Sequence, residues 1–129
     1  MADLNEKLKE LNNTKDTTEE FDAADIEANK IMGIFAYLSW LVLIPIFAAK
    51  ESKFARYHAN QGITLAIAEI IAFVILGILA KIPFIGWIFA IVEWLLGLAC
   101  IILACLGIIN AANGKAKELP FVGSIKILK

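Results

Sequence analysis

The chain has 129 residues, of which 60% are hydrophobic and 19% charged, with a formal net charge of −1 and a mean hydropathy of +0.74. Soluble domains average about 45–50% apolar and about 25% charged residues, so this composition argues against a soluble enzyme, a disordered chain and a disulfide-stapled secreted module. The length allows one domain, and the lack of a basic excess argues against nucleic acid as a partner.

Charge is unevenly spread. Residues 1–30 hold nine acids and four lysines, whereas residues 31–129 hold four acids and eight bases. A polar acidic arm (1–27) is therefore expected to precede an apolar body (28–112) and a basic amphipathic tail (113–129). In the arm, Leu4, Leu8 and Leu11 share one face of a short helix, which Asn12-Asn13-Thr14 interrupts. Thr17-Thr18-Glu19-Glu20 and then Asp22-Ala23-Ala24-Asp25 mark a second helix start, because acids are favoured at the positive end of a helix dipole. That helix is expected to run on into the body. The arm lacks the apolar core of a signal peptide, and Ala2 argues against myristoylation.

Three apolar stretches follow. Ile31–Ala49 carries no charge, Gly62–Ala80 carries only Glu69, and Ile82–Ala112 carries only Glu93. A bilayer core of about 30 Å needs roughly 20 helical residues, and each stretch meets that length. Ile70–Leu79 and Leu95–Ile109 have no polar face, so lipid is the expected solvent. Pro45 is expected to kink or end the first span. Pro83 and Gly86 predict an interfacial turn before the third, with Trp87 in the aromatic belt. The expected fold is all-α: an integral membrane bundle of three transmembrane helices, at about 31–49, 62–80 and 87–110, with a partly helical acidic arm. Three spans place the first connection (Lys50, Lys53, Arg56) and the tail (Lys115, Lys117, Lys126, Lys129) on one side, with more bases than the other. The positive-inside rule then puts them in the cytoplasm and the arm outside.

Few residues bear chemistry. Glu69 and Glu93 are expensive in hydrocarbon. They read either as a proton- or cation-handling pair or pathway lining, about 10 Å apart in depth by helical rise, or as side chains in an interhelical hydrogen bond or one across an oligomer interface. Lys81 is a candidate snorkelling partner for Glu93. Cys100 and Cys105 read as apolar packing, and no set of four ligands predicts a zinc site. Gly97, Cys100, Ala104 and Gly107 form a small-residue stripe suited to close helix approach. His58 is the only histidine. It stands in the polar run Lys50–Gly62, which reads as a basic interfacial loop touching anionic headgroups, with Phe54 and Tyr57 as anchors. An intermediate reading has Asn60 and Gln61 capping neighbouring helix ends. The tail after Leu119 mixes apolar and basic residues and suits a membrane surface.

The residues Asn29-Lys30-Ile31-Met32, Tyr37-Leu38-Ser39-Trp40, Ile44-Pro45 and Ser52–Gly62 carry a resemblance. The most specific part is a phenylalanine–x–arginine–x–histidine–alanine–x–glutamine core, here Phe54, Arg56, His58, Ala59 and Gln61. Over about residues 26–115 the chain resembles a family of small bacterial multi-span membrane proteins of unknown function. That family is distantly similar to the membrane component of the chloroplast inner-envelope protein-import machinery. The resemblance implies no catalytic role and, by analogy, a part in protein translocation; import components of that type have four spans, against three here.

The reading is a non-enzymatic, multi-pass protein of the bacterial cytoplasmic membrane, structural or accessory, with no cofactor or metal. Its expected partners are the lipid bilayer and either further copies of itself or another membrane protein, with no nucleic acid. Candidate site residues are Glu69 and Glu93 within the membrane and Lys53, Phe54, Arg56, His58, Asn60 and Gln61 in the first connection. The rival is a transport, channel or translocation component using Glu69 and Glu93.

Overall fold

A computed structural model describes residues 2–125 and 127, with Ala2, Ser39 and Trp40 described by backbone alone. Lys126 and Lys129, two of the expected tail bases, lie outside the described residues. The architecture is helical throughout, with no strand among the described residues and one isolated bridge, Asp16 to Lys117.

The arm opens with helix α1 (Ala2–Leu11), which ends where Asn12 and Asn13 were expected to break it. A 3₁₀ turn at Thr18–Glu20 leads to helix α2 (Ala23–Phe35). Asp22 caps α2 by accepting from the Ala24 amide, which satisfies one of the orphan donors of a helix start. Inside α2 the backbone leaves helical geometry at Asn29, whose side chain turns back to the Asp25 carbonyl and carboxylate.

The first apolar stretch is not one span. α2 stops at Phe35, a 3₁₀ turn runs from Ser39 to Val42, and a short helix, α3 (Leu43–Ala48), returns. Pro45 lies in the first turn of α3, where a missing N–H costs nothing; it helps start a helix instead of kinking one. Two helices reach spanning length: α4 (Lys53–Leu79) and α5 (Gly86–Ala112), each of 27 residues, or about 40 Å at helical rise. The turn between them is where Pro83 and Gly86 were expected to put it, and Phe84 adopts the left-handed conformation there (φ 71°).

α4 and α5 pack antiparallel, and α2 packs on both. The start of α4 and the end of α5 therefore lie at one end of the molecule. Here the core is dense: Phe54, His58, Gln61 and Asn110 are buried beneath Ala36, Tyr37 and Leu119. The α2–α3 hairpin descends beside this end as far as Gly107, which faces the Tyr37 ring, and climbs back to the α4 start. Toward the other end the pair stands uncovered, with Ile70 63% and Trp94 66% exposed. Exposed Ile, Val, Leu and Trp side chains on both helices form an apolar belt.

Arm and tail meet at the dense end. Asn12 and Asn110 exchange two side-chain hydrogen bonds of 3.0 Å, Thr14 donates to the Glu118 carbonyl and Thr17 to that of Ala116. This overturns the expected orientation, in which three spans held arm and tail on opposite sides. It also revises the surface-lying tail: Leu119, Pro120 and Gly123 are buried against the helices.

Candidate functional site

The polar run after Lys50 is not a loop. Ser52 caps α4 by accepting from the Ala55 amide at 3.0 Å, so the run forms the first three turns of a helix. Helical spacing then sends Phe54, His58 and Gln61 inward together, while Lys53 stays exposed and Arg56, Tyr57 and Asn60 are half-buried. The anchoring role expected for Phe54 gives way to a core role: it is fully buried, and its amide donates to Asp25 at 3.0 Å, tying α4 to α2.

His58 is 0% exposed and both ring nitrogens are engaged. Nε2 lies 2.8 Å from the Lys115 carbonyl and Nδ1 lies 2.6 Å from the Tyr37 hydroxyl. A carbonyl only accepts, so Nε2 carries the proton and Tyr37 donates to Nδ1. The rings of Tyr37, Phe54 and Tyr57 pack edge-on around the imidazole. One side chain thus joins the α2 end, α4 and the tail.

Gln61 holds the tail from the next turn. Its oxygen accepts from the Leu119 amide at 2.8 Å and its nitrogen donates to the Gly123 carbonyl at 3.0 Å. It clamps an irregular segment, where a helix cap was the expectation. Thr64, one further turn along, donates to the Ile125 carbonyl. A buried amide or carbonyl without a partner is costly, so these side chains decide whether the tail can pack here at all.

Glu69 and Glu93 are not brought together. Glu69, half-buried on α4, lines the same clefts as Cys100 of α5. Glu93 lines a separate groove with Phe73, Trp94 and Gly97. The two grooves adjoin, since Phe73, Gly97 and Ile101 line both. No ion pair joins Lys81 to Glu93 among the described residues. The small-residue stripe is filled from within the chain: Gly97 faces Phe73 and Gly107 faces Tyr37. Cys100 is buried, Cys105 exposed, and both are free thiols. No group of three or more metal-ligating side chains forms among the described residues.

Sequence reasoning missed Asp25, Asn12, Asn110 and Thr64 as members of this network. Tyr37 lay within the quoted motif, but nothing in the sequence paired it with His58. Cys100 was read as packing alone.

The magnetosome magnetite crystal formation protein family matches residues 28–128. The chain belongs to this family. A membrane protein of Methanocaldococcus jannaschii is 34% identical over 96 residues, which cover 72% of this chain and 64% of the relative. Magnetosome protein MmsF of Paramagnetospirillum magneticum is 25% identical over 93 residues, covering 71% of this chain and 79% of its own. Magnetosome protein MamF of Magnetospirillum gryphiswaldense is 25% identical over 101 residues, covering 76% and 82%. The family match extends beyond the resemblance read from the sequence and includes the tail that Gln61 holds. These relatives support a small membrane protein family; the expected likeness to chloroplast import finds no support among them. No solved structure matches the chain.

Proposed function

We propose that this member of the family is a non-enzymatic, multi-pass protein of the bacterial cytoplasmic membrane with a structural or accessory role. α4 and α5 cross the bilayer, α2 and α3 dip in and return, and the arm, the α4 start and the tail stand in the cytoplasm. The observation that carries this reading is the bonding of arm to tail at one end of the helix pair. The bases support the direction: Lys81 is the one base in the α4–α5 turn, whereas Lys50, Lys53, Arg56, Lys115 and Lys117 gather at the other end. There they meet anionic headgroups or a protein partner. The membrane and magnetosome names of the relatives agree with such a role. Reporter tags on both ends, tested for protease access in sealed vesicles of known sidedness, check it: both ends are expected on the cytoplasmic side. Ends on opposite sides overturn the reading.

A second reading is transport. It rests on Glu69 and Glu93 lining adjoining grooves on the same helix pair, a face that a second copy or partner would have to cover to make a route. Glu69→Gln and Glu93→Gln abolish a proton or cation flux with assembly intact if that reading holds. If the carboxyls serve packing, the same variants weaken assembly and move no flux.

A further inference from the structure

Beneath the tail, the α4–α5 pair leaves a cleft of about 420 Å³, within the roughly 300–1,000 Å³ of small-molecule sites. Its floor is made of small residues, Ala68 and Ala72 on α4 and Ala99 on α5. Neighbouring positions on the same helices carry exposed isoleucines, so the hollow comes from side-chain choice. The wall is apolar except for Glu69. The Cys100 thiol lines the cleft beside that carboxyl, and an ionised carboxyl can accept several hydrogen bonds. Leu11 from the arm and Phe121 from the tail close the cleft above. Phe121 is 86% exposed and held at φ 69°, a conformation that costs a bulky side chain energy.

We propose that this cleft binds a single-chain amphiphile from the bilayer, of the long-chain alcohol type, whose small head donates a hydrogen bond to Glu69. The roof selects the class. A two-chain phospholipid would need its chain to continue upward through Leu11 and Phe121 to a headgroup in the interface. A single chain with a small head tucks the head under the roof at Glu69 and lays its tail along Ala72. It leaves onto the apolar belt beyond Ala72 and Leu96.

The test uses the full chain in lipid nanodiscs and a long-chain alcohol carrying a diazirine in its tail. Photolabelling is expected to saturate and to map to the stretch of α5 around Leu96–Ala99. Its methyl ether, which has no donor, is expected to bind at least fivefold more weakly. Glu69→Gln keeps an acceptor but alters the head site, so it narrows that difference. Ala99→Leu fills the hollow with an apolar side chain at an exposed position and is expected to cut saturable labelling at least fivefold; Ala68→Leu is the independent second filling. Thermal unfolding confirms that each variant is folded. Labelling that rises linearly with probe and ignores both fillings means bulk lipid contact and overturns the proposal. Disulfide joining of two copies at Ala99→Cys, in a chain whose Cys100 and Cys105 are replaced, with no saturable labelling of the original chain, overturns it too. Neither result bears on which side the termini occupy.

Discussion

Tyr37 shows how one atom couples distant parts of this chain. Its hydroxyl is the donor to His58 Nδ1, and the imidazole passes the connection to Lys115. Tyr37→Phe keeps the ring and removes the donor, leaving a buried nitrogen unpaired at a cost of about 1–3 kcal/mol. A lower unfolding temperature in detergent is expected, and an unchanged one refutes the pairing. A second residue-scale prediction concerns acid. Asp16 accepts from the Thr18 hydroxyl and amide, and these bonds hold its carboxyl below the usual range. A lowered folded value means the turn is favoured above the free carboxyl's pKa and loses that contribution as pH falls through the folded one. Exchange of the Thr18 amide is therefore expected to speed up only in strong acid, and Asp16→Asn to remove that dependence. None of these pairings was legible in the sequence. Tyr37 lies 21 residues from His58, and the tail partners of His58 and Gln61 lie 57 to 62 residues away along the chain; composition carries no signal for contacts of that range.

At the scale of elements, α5 and the part of α4 after Gly62 were readable because one glutamate each is the only charge in them. Their burial varies from end to end, but an apolar helix of that length satisfies its own backbone whatever surrounds it. The first apolar stretch deceived for the same reason. Its 19 residues match a span by length, yet two short helices and a tight turn use the same residues. No glycine or proline marks the break at Phe35–Leu38; tertiary contact does. Gly62 lets the Ala36 carbonyl approach α4 so closely that an added Cβ would sit 1.7 Å from that oxygen. Gly62→Ala must push α2 off α4, since backbone cannot swing aside as a flexible side chain would. Overpacking of this kind costs about 1–3 kcal/mol and occasionally more. The expected outcome is a fall in unfolding temperature larger than that for Gly77→Ala, which meets nothing within 4 Å. The polar start of α4 was misread as a loop because its charges outweighed Ser52, the one residue that announced a helix.

For the whole molecule, the division into a dense polar end and an uncovered apolar hairpin suggests that the two halves respond differently to damage. A chain stopped at Gly114 lacks the carbonyls of Lys115 and Gly123 and the amide of Leu119, the partners of His58 and Gln61. Its long helices still satisfy their own backbones. Such a chain is expected to remain membrane-bound and to be cut by trypsin at the half-buried Arg56 faster than the full chain; equal rates would show that the tail is dispensable. The same dependence fixes an order of events during synthesis. Both long helices leave the ribosome before the segment that completes their polar end exists, so the histidine and glutamine of a nascent molecule still face water. Only residues translated after both helices close that wet seam. A product terminated before them therefore carries an exposed, hydrated notch, a mark by which a protease or chaperone would tell it from a finished copy.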